Sequence, residues 1–437
     1  MNTLEDCLRH HAAVHPGTTA LTCGNVSVTY GKLYDMVCRE ALSLGELGGR
    51  LVPIIATPSA SFVVSYLAVH LAGGVAVPLD KDTTPEQLSQ HSASFAGKTA
   101  PQGVADVLFT TGTTGKSKGV MVSHRAIMAN AENLAEAQQF DSNLTFVVCG
   151  PLNHIGSLSK LFPSMLVGAA VSIVDGLKNM PAFFSAVANA PVKAATFLVP
   201  ASIRMLIAFA RQELAAQASK IDLIETGAAP MPLADMQQLC SLLPHSRLYN
   251  TYASTETGII STFDYNAGEC LAGCLGKPMR HSSIEITPDG RVACSGKTLM
   301  SGYWGDEQLT RSVMHDGTVF TADMGHLDSC GRLRLSGRND DVINVGGYKV
   351  SPIEVEDAAM GFPGVSDCVC IAAEHPVVGT VLKLLVVADH AVDRRLLSKH
   401  LHSKLASHKC PNFIEQVDAI RRTFNGKIDR KSYRNPS

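Results

Sequence analysis

The chain lacks a strong excess of either charge: 37 lysines and arginines stand against 39 aspartates and glutamates, for a net charge near −2. That argues against a nucleic-acid partner and against docking on an anionic membrane surface. It also lacks a long unbroken apolar run. The most apolar stretch, residues 62–79, is interrupted by His70, Gly73-Gly74 and Pro78. It reads as a buried helix followed by a strand, not as a membrane span. The start, Met1-Asn2-Thr3-Leu4-Glu5-Asp6, has neither the basic opening nor the apolar core of a secretory leader, so a cytoplasmic protein is expected. Twelve cysteines contain no C-x-x-C, and sixteen histidines contain no H-E-x-x-H. The spacings Cys270/Cys274 and Cys368/Cys370 do not match a zinc site. Reduced, partly buried thiols are the expectation. His400, His402 and His408 fall in a Lys-rich helical pattern and read as a solvated face. No internal repeat or low-complexity segment is present.

What is there is a chain of 437 residues with 46% hydrophobic and 17% charged side chains, ordinary for a soluble protein and long enough for two or three domains. Strand and helix patterns alternate throughout, which predicts an α/β protein. Thr19 to Thr22 and Val26 to Thr29 read as a hairpin, Tyr30 to Leu44 as a helix stopped by Gly45, and Ser59 to Ala72 as a helix between strands Val52 to Ala56 and Val75 to Leu79. Further on, Ser123 to Gln138, Gly156 to Leu166, Met180 to Ala190 and Pro200 to Ala218 read as helices. Turn-forming residues cluster at Gly337-Arg338-Asn339-Asp340-Asp341, and a small new unit begins there. The expected architecture is a large, multi-subdomain N-terminal α/β domain, residues 1–337, and a small mobile C-terminal α+β domain, residues 338–437.

Chemistry concentrates first between Val107 and His124. An apolar strand enters a loop of Thr110, Thr111, Gly112, Thr113, Thr114, Gly115, Lys116, Ser117 and Lys118, and an apolar strand leaves it. Glycines let backbone N–H groups approach a polyphosphate, hydroxyls donate to it, and lysines neutralise it. Gly115-Lys116-Ser117 looks like the end of the common phosphate loop G-x-x-x-x-G-K-(S/T). That pattern needs Gly where this chain has Thr110, and a helix beginning at the lysine. Residues 119–122 read as strand instead, so a P-loop kinase or ATPase is disfavoured.

The loop resembles that of the acyl-adenylate-forming superfamily: acyl-CoA synthetases, adenylation domains and luciferases. Other segments follow in that family's order. Residues 74–80, Gly-Val-Ala-Val-Pro-Leu-Asp, are similar to its strand before the phosphate loop. Gly227-Ala228-Ala229-Pro230 resembles the turn that packs on adenine. Asn250-Thr251-Tyr252-Ala253-Ser254-Thr255-Glu256 resembles N-x-Y-G-x-T-E, with Ala253 for Gly. The resemblance implies that the Asn250–Thr251 side contacts adenine, Tyr252 stacks on it, Thr255 meets the α-phosphate and Glu256 holds Mg²⁺. Phe320-Thr321-Ala322-Asp323 resembles (Y/F)-x-(T/S)-G-D, which places Asp323 on the ribose. Arg338 is expected on the ribose or phosphate, Asp340 at the interdomain hinge, and Lys427, in Asn425-Gly426-Lys427-Ile428-Asp429-Arg430, as the catalytic lysine.

The resemblance implies a two-step reaction. A carboxylate attacks the α-phosphate of ATP, with Mg²⁺, to give an acyl-adenylate and pyrophosphate. A thiol then attacks the acyl carbonyl. The thiol belongs to coenzyme A, or alternatively to the phosphopantetheine of a carrier protein. Pro151-Leu152-Asn153-His154 is similar to the segment that puts a histidine, His154, at the acyl-pocket entrance. No Asp of the amino-acid-activating kind lies there. Phe197, Val199, Pro200 and residues 225–229 would line an apolar pocket for an aryl or short-to-medium acyl acid. About 30 residues separate Asp80 from Thr110, fewer than in full-length members, so the N-terminal subdomain reads as shortened. That shortening bears on one pocket wall and on a homodimer surface. A non-catalytic nucleotide-binding relative is the alternative from another class.

Overall fold

The computed structural model describes residues 1–111, 117–376, 378–422 and 428–434. Gly112 to Lys116 and Lys427 lie outside the described residues. Among the described residues no helix is long and apolar enough to cross a membrane.

Three sheets build the large N-terminal part. A nine-stranded sheet has parallel strands Thr19–Cys23, Ala170–Ile173, Leu144–Val148, Lys193–Leu198, Ile221–Thr226 and Arg247–Ser254, with antiparallel strands at both edges. A five-stranded sheet carries Leu51–Ile55, Val75–Leu79, Val104–Thr111, Ser117–Ser123 and Gly302–Tyr303. A third, antiparallel sheet contains Ser282–Ile286, Arg291–Gly296, Thr318–Leu327 and Leu333–Arg338. The central strands of the nine-stranded sheet are buried almost end to end, as in Leu144–Val148, because helices cover both faces of its parallel region. Tyr30–Leu44 forms the expected helix and ends at Gly45, whose φ of 67° suits a residue without a Cβ.

Beyond Arg338 come a 3₁₀ turn, Asn339–Asp341, and a two-stranded ribbon, Ile343–Val345 with Tyr348–Val350. A three-stranded sheet of Asp367–His375, Gly379–Val387 and Phe413–Gln416 follows. Helices Pro352–Met360 and Arg394–Lys404 pack on it around Val350, Val355, Leu384 and Leu397, a core separate from those of the larger part.

Two expected helices are broken. Residues 156–166 form two short helices, Ile155–Leu158 and Leu161–Val167. Pro163 has no N–H to give to the carbonyl of residue 159, so it is tolerated only in the first turn of a new helix. The long helix from Pro200 stops at Phe209, and Arg211–Ala216 continues after Ala210, which leaves helical geometry at φ −140°, ψ 33°. The helices Leu4–Val14 and Leu233–Leu242 were not expected from the pattern. Of the three histidines expected on a solvated face, only His402 is exposed. His400 reaches the Ala358 carbonyl at 3.0 Å, and His408 stacks on Tyr348 at 4.4 Å.

Candidate active site

The two arms of the glycine- and threonine-rich loop are Val104–Thr111 and Ser117–Ser123, an antiparallel pair in which Thr110 faces Lys118. The residue after the loop is therefore in a strand, as the pattern required, and a helix starts only at His124 with Ser123 as its N-cap. The short strand Gly302–Tyr303 adds to the far side of this arm, with Tyr303 opposite Val120. That pairing brings in a residue the motifs did not single out. The Lys118 ammonium lies over the Tyr303 ring, 5.4 Å from its centre. The Tyr303 hydroxyl donates to Glu256 Oε1 at 3.0 Å. Burial and the Glu256 carboxylate push the phenol upward, so it stays a donor.

Glu256 sits in the turn, Thr255 to Thr257, that joins strands Arg247–Ser254 and Gly258–Asp264. It is not a helix N-terminal acid. Ser254 and Thr257 brace the turn by a hydroxyl–hydroxyl contact of 2.9 Å, and the Glu256 carbonyl accepts from the Met300 N–H at 2.8 Å. Thr255 and Glu256 are half-buried. One half-buried hard carboxylate next to the phosphate-loop arm suits Mg²⁺, an ion that takes most of its ligands from phosphates and water.

A second cluster is set by strand register. Asp323 and Arg338 are direct partners on neighbouring antiparallel strands, and Arg338 Nε lies 3.5 Å from Asp323 Oδ1. The other oxygen, Oδ2, accepts from the Tyr252 hydroxyl at 2.8 Å. The Tyr252 ring is buried, and burial followed by the Asp323 charge keeps its phenol protonated. Asn250 and Thr251 are also buried. The Asn250 amide donates to the Cys274 carbonyl at 3.1 Å, and the Thr251 hydroxyl meets that of Thr262 at 2.9 Å. Ala253 and Ala322 replace the usual glycines without strain, since neither has a positive φ. The Ala253 methyl packs with Leu134, Ile259 and Met279.

Gly227, Ala228 and Ala229 follow directly on strand Ile221–Thr226. A Cβ on Gly227 would stand 2.9 Å from the Thr251 carbonyl oxygen, so only glycine fits. Ala228 adopts φ 67°, a left-handed conformation that is unusual for alanine. Phe197 spans the gap between this turn and the His154 segment. Its ring edge lies 3.6 Å from a Cβ built on Gly227 and 3.0 Å from one built on Gly156. His154 is half-buried and precedes the short helix Ile155–Leu158.

The expected apolar wall needs correction at Glu225. It is 1% exposed and paired with Lys160, also 1% exposed, with Nζ–O separations of 2.8 and 2.7 Å. The same ammonium lies 5.1 Å from the centre of the Phe197 ring. Desolvation pulls the Lys160 pKa down against the opposing pull of Glu225. Lys160 was not singled out, because its segment, Gly156 to Leu166, reads as one helix.

On the C-terminal side, Arg422 pairs with Ile428 in an antiparallel bridge. Arg430 clamps Glu356 with contacts of 2.8 and 2.6 Å. Arg204, from the larger part, reaches Asp235 and Asp367 at 3.0 Å each, and Asp367 also takes Arg422.

These features define a nucleotide-handling α/β protein of two parts, with its polar groups gathered on strands and the turns that join them. The chain belongs to the AMP-binding enzyme family, whose model matches residues 8–95 and 91–304; the model of the AMP-binding enzyme C-terminal domain matches residues 354–427. The two N-terminal stretches meet between Asp80 and the phosphate loop, where the chain has the helix Pro85–Phe95. It is 28% identical to a feruloyl-CoA synthase of Amycolatopsis sp., covering 95% of each chain. It is 28% identical to an indoleacetate–CoA ligase of Aromatoleum aromaticum, covering 85% of this chain and 71% of that one. The fold is that of ATP-bound MatB from Rhodopseudomonas palustris, with a TM-score of 0.88 at 22% identity over 100% of this chain and 99% of the other.

Proposed function

We propose that this chain is an AMP-forming acid–thiol ligase. It joins an aryl or short-to-medium acyl carboxylic acid to ATP as an acyl-adenylate, then passes the acyl group to coenzyme A. The observation that carries this reading is the pair of polar clusters, Lys118–Tyr303–Glu256 and Tyr252–Asp323–Arg338. The first lies beside the phosphate-loop arms. The second offers a carboxylate for ribose hydroxyls, beside the adenine turn.

In the first step a carboxylate oxygen bonds to the α-phosphorus and the bond to pyrophosphate breaks. The protein's part is positioning and charge stabilisation. Thr110 to Lys118 cradle the β- and γ-phosphates, Thr255 donates to the α-phosphate, and Lys427 bridges the carboxylate and the α-phosphate. Glu256 would hold Mg²⁺, which supplies charge neutralisation at the phosphates. In the second step the thiol sulfur bonds to the acyl carbon and AMP leaves. His154 and Phe197 flank the acid. Residues 338–437 act as a mobile unit hinged at Asp340, and the phosphopantetheine of a carrier protein is the alternative acceptor.

A screen of mixed acids, scored for AMP with and without coenzyme A, tests the whole reading. AMP and pyrophosphate are expected, and release of ADP would overturn it. Single-turnover kinetics test the hinge. Lys427→Ala should abolish adenylate formation yet still convert supplied acyl-adenylate, whereas Asp340→Pro, which fixes φ, should keep adenylation and lose thioester formation. Equal loss of both steps in both folded variants would remove the hinge.

A further inference from the structure

Besides those clusters, the fold gathers three residues from three helices. Glu5 comes from Leu4–Val14, His70 from Ala60–Leu71, and His124 from the start of His124–Ala137. We propose that Glu5, His70 and His124 form a binding site for a divalent transition metal, with Zn²⁺ the best-suited ion.

The geometry comes first. Glu5 Oε1 lies 3.0 Å from His70 Nδ1, and Glu5 Oε2 lies 4.0 Å from His124 Nδ1. One ligand atom from each residue falls within 4.8 Å of the others. Bonds of about 2.1 Å in a tetrahedral site put ligand atoms about 3.4 Å apart, so shifts of roughly an ångström close the set around an ion. Two imidazoles and one carboxylate suit zinc and do not suit magnesium or calcium, which prefer oxygen.

The surroundings match a ligand shell. The far nitrogen of His70, Nε2, lies 2.9 Å from Asp106 Oδ1, and Asp106 Oδ2 accepts from the Tyr66 hydroxyl at 2.9 Å. A metal-bound histidine characteristically gives its second N–H to a carboxylate, which leaves the first nitrogen's lone pair for the ion. The side chains of His70 and Asp106 are fully buried, while that of His124 is 26% exposed. A cavity of about 170 Å³, bordered by Thr3, Arg9 and Tyr34, opens onto the three ligands and leaves room for water at a fourth position. Charge points the same way. Two buried carboxylates, Glu5 and Asp106, flank His70, and a divalent ion bound at Glu5 would offset their charge. The competing arrangement is a protonated His70 held between Glu5 and Asp106, which gives His124 no part.

The test uses the full chain, stripped by a chelator and kept free of nucleotide, titrated with Zn²⁺ and with Co²⁺. One equivalent of Zn²⁺ should bind and raise the unfolding midpoint. Co²⁺ should give visible ligand-field bands without the near-ultraviolet charge transfer of a thiolate. That distinction matters because the twelve cysteines are all free. His124→Ala, a change at a partly exposed site, should abolish the stoichiometric ion and the midpoint shift while leaving the circular dichroism unchanged. Glu5→Gln should weaken binding at least tenfold. Absence of stoichiometric binding, a thiolate band, or full retention in His124→Ala would overturn the proposal and leave His70 as a buried ion-pair partner.

Discussion

The nucleotide half and the acid half of the proposed site use charge in opposite ways. On the nucleotide side Glu256, Asp323 and Arg338 remain partly open, each tied by one or two contacts from tyrosine or from each other. On the acid side Lys160 and Glu225 are sealed, paired face to face behind Phe197. Groups that must meet a charged ligand are kept hydrated until it arrives. A pair that is already desolvated has its partner in place, and it shapes a wall without needing a ligand. Open charges tolerate loss of a neighbour because water replaces it; sealed charges do not.

The sharpest way to break this contrast is to remove one member of the sealed pair. Lys160→Met should destabilise the fold by about 3–5 kcal/mol, because it leaves Glu225 buried without a cation. Lys160→Met with Glu225→Leu should recover most of that loss, since a matched apolar pair is often neutral. Chemical denaturation of both proteins measures the difference. The double variant should also change kcat/KM across an acid series while leaving the KM for ATP near normal. If the single variant is as stable as the parent, water reaches the pair and the contrast fails.

On the open side, Glu256→Gln should leave stability nearly unchanged yet raise the adenylation barrier by roughly 2–4 kcal/mol, the scale of a lost electrostatic stabiliser. Tyr303→Phe removes only the hydrogen bond that orients Glu256, and should cost about 1.5 kcal/mol in the same step. Pyrophosphate exchange reads both. A Tyr303→Phe effect as large as that of Glu256→Gln would mean the phenol itself meets the phosphates.

What could be read from the chain follows the same division. Lys118 lies near the start of a strand, Glu256 in a turn and Asp323 within strand Thr318–Leu327; each stood out because it falls in a short run of residues in a fixed order. Tyr303 escaped because a two-residue strand has no periodicity, and only sheet pairing brings it to Val120. Lys160 and Glu225 meet across 65 positions, and so do Glu5 and His70. No spacing rule reaches that far. The break at Ala210 had no local signal either, since alanine favours helix.

A last effect is expected at the contact between the two parts. Asp357, half-buried in helix Pro352–Met360, is pushed up to about 7 by burial, then by the Glu356 and Asp235 carboxylates. Asp235 belongs to helix Leu233–Leu242 of the larger part, so one component of this shift exists only while the parts are in contact. The sign follows from proton binding. Above the usual carboxylate range of about 4 the unfolded chain has lost this proton, while the native protein holds it up to about pH 7. Asp357 therefore favours the native, docked state most at low pH. That contribution falls as the pH rises from about 4 to 7 and is flat above it. Asp357→Asn keeps a neutral side chain at every pH and should remove the slope. The unfolding midpoint of the variant minus that of the parent, followed from pH 4 to 8, should rise across the window and then level off. Asp235→Asn, which removes the cross-contact charge alone, should shift the same curve by less. A difference curve that stays flat would place Asp357 in water and make the contact between the two parts of the chain an open surface like the nucleotide side.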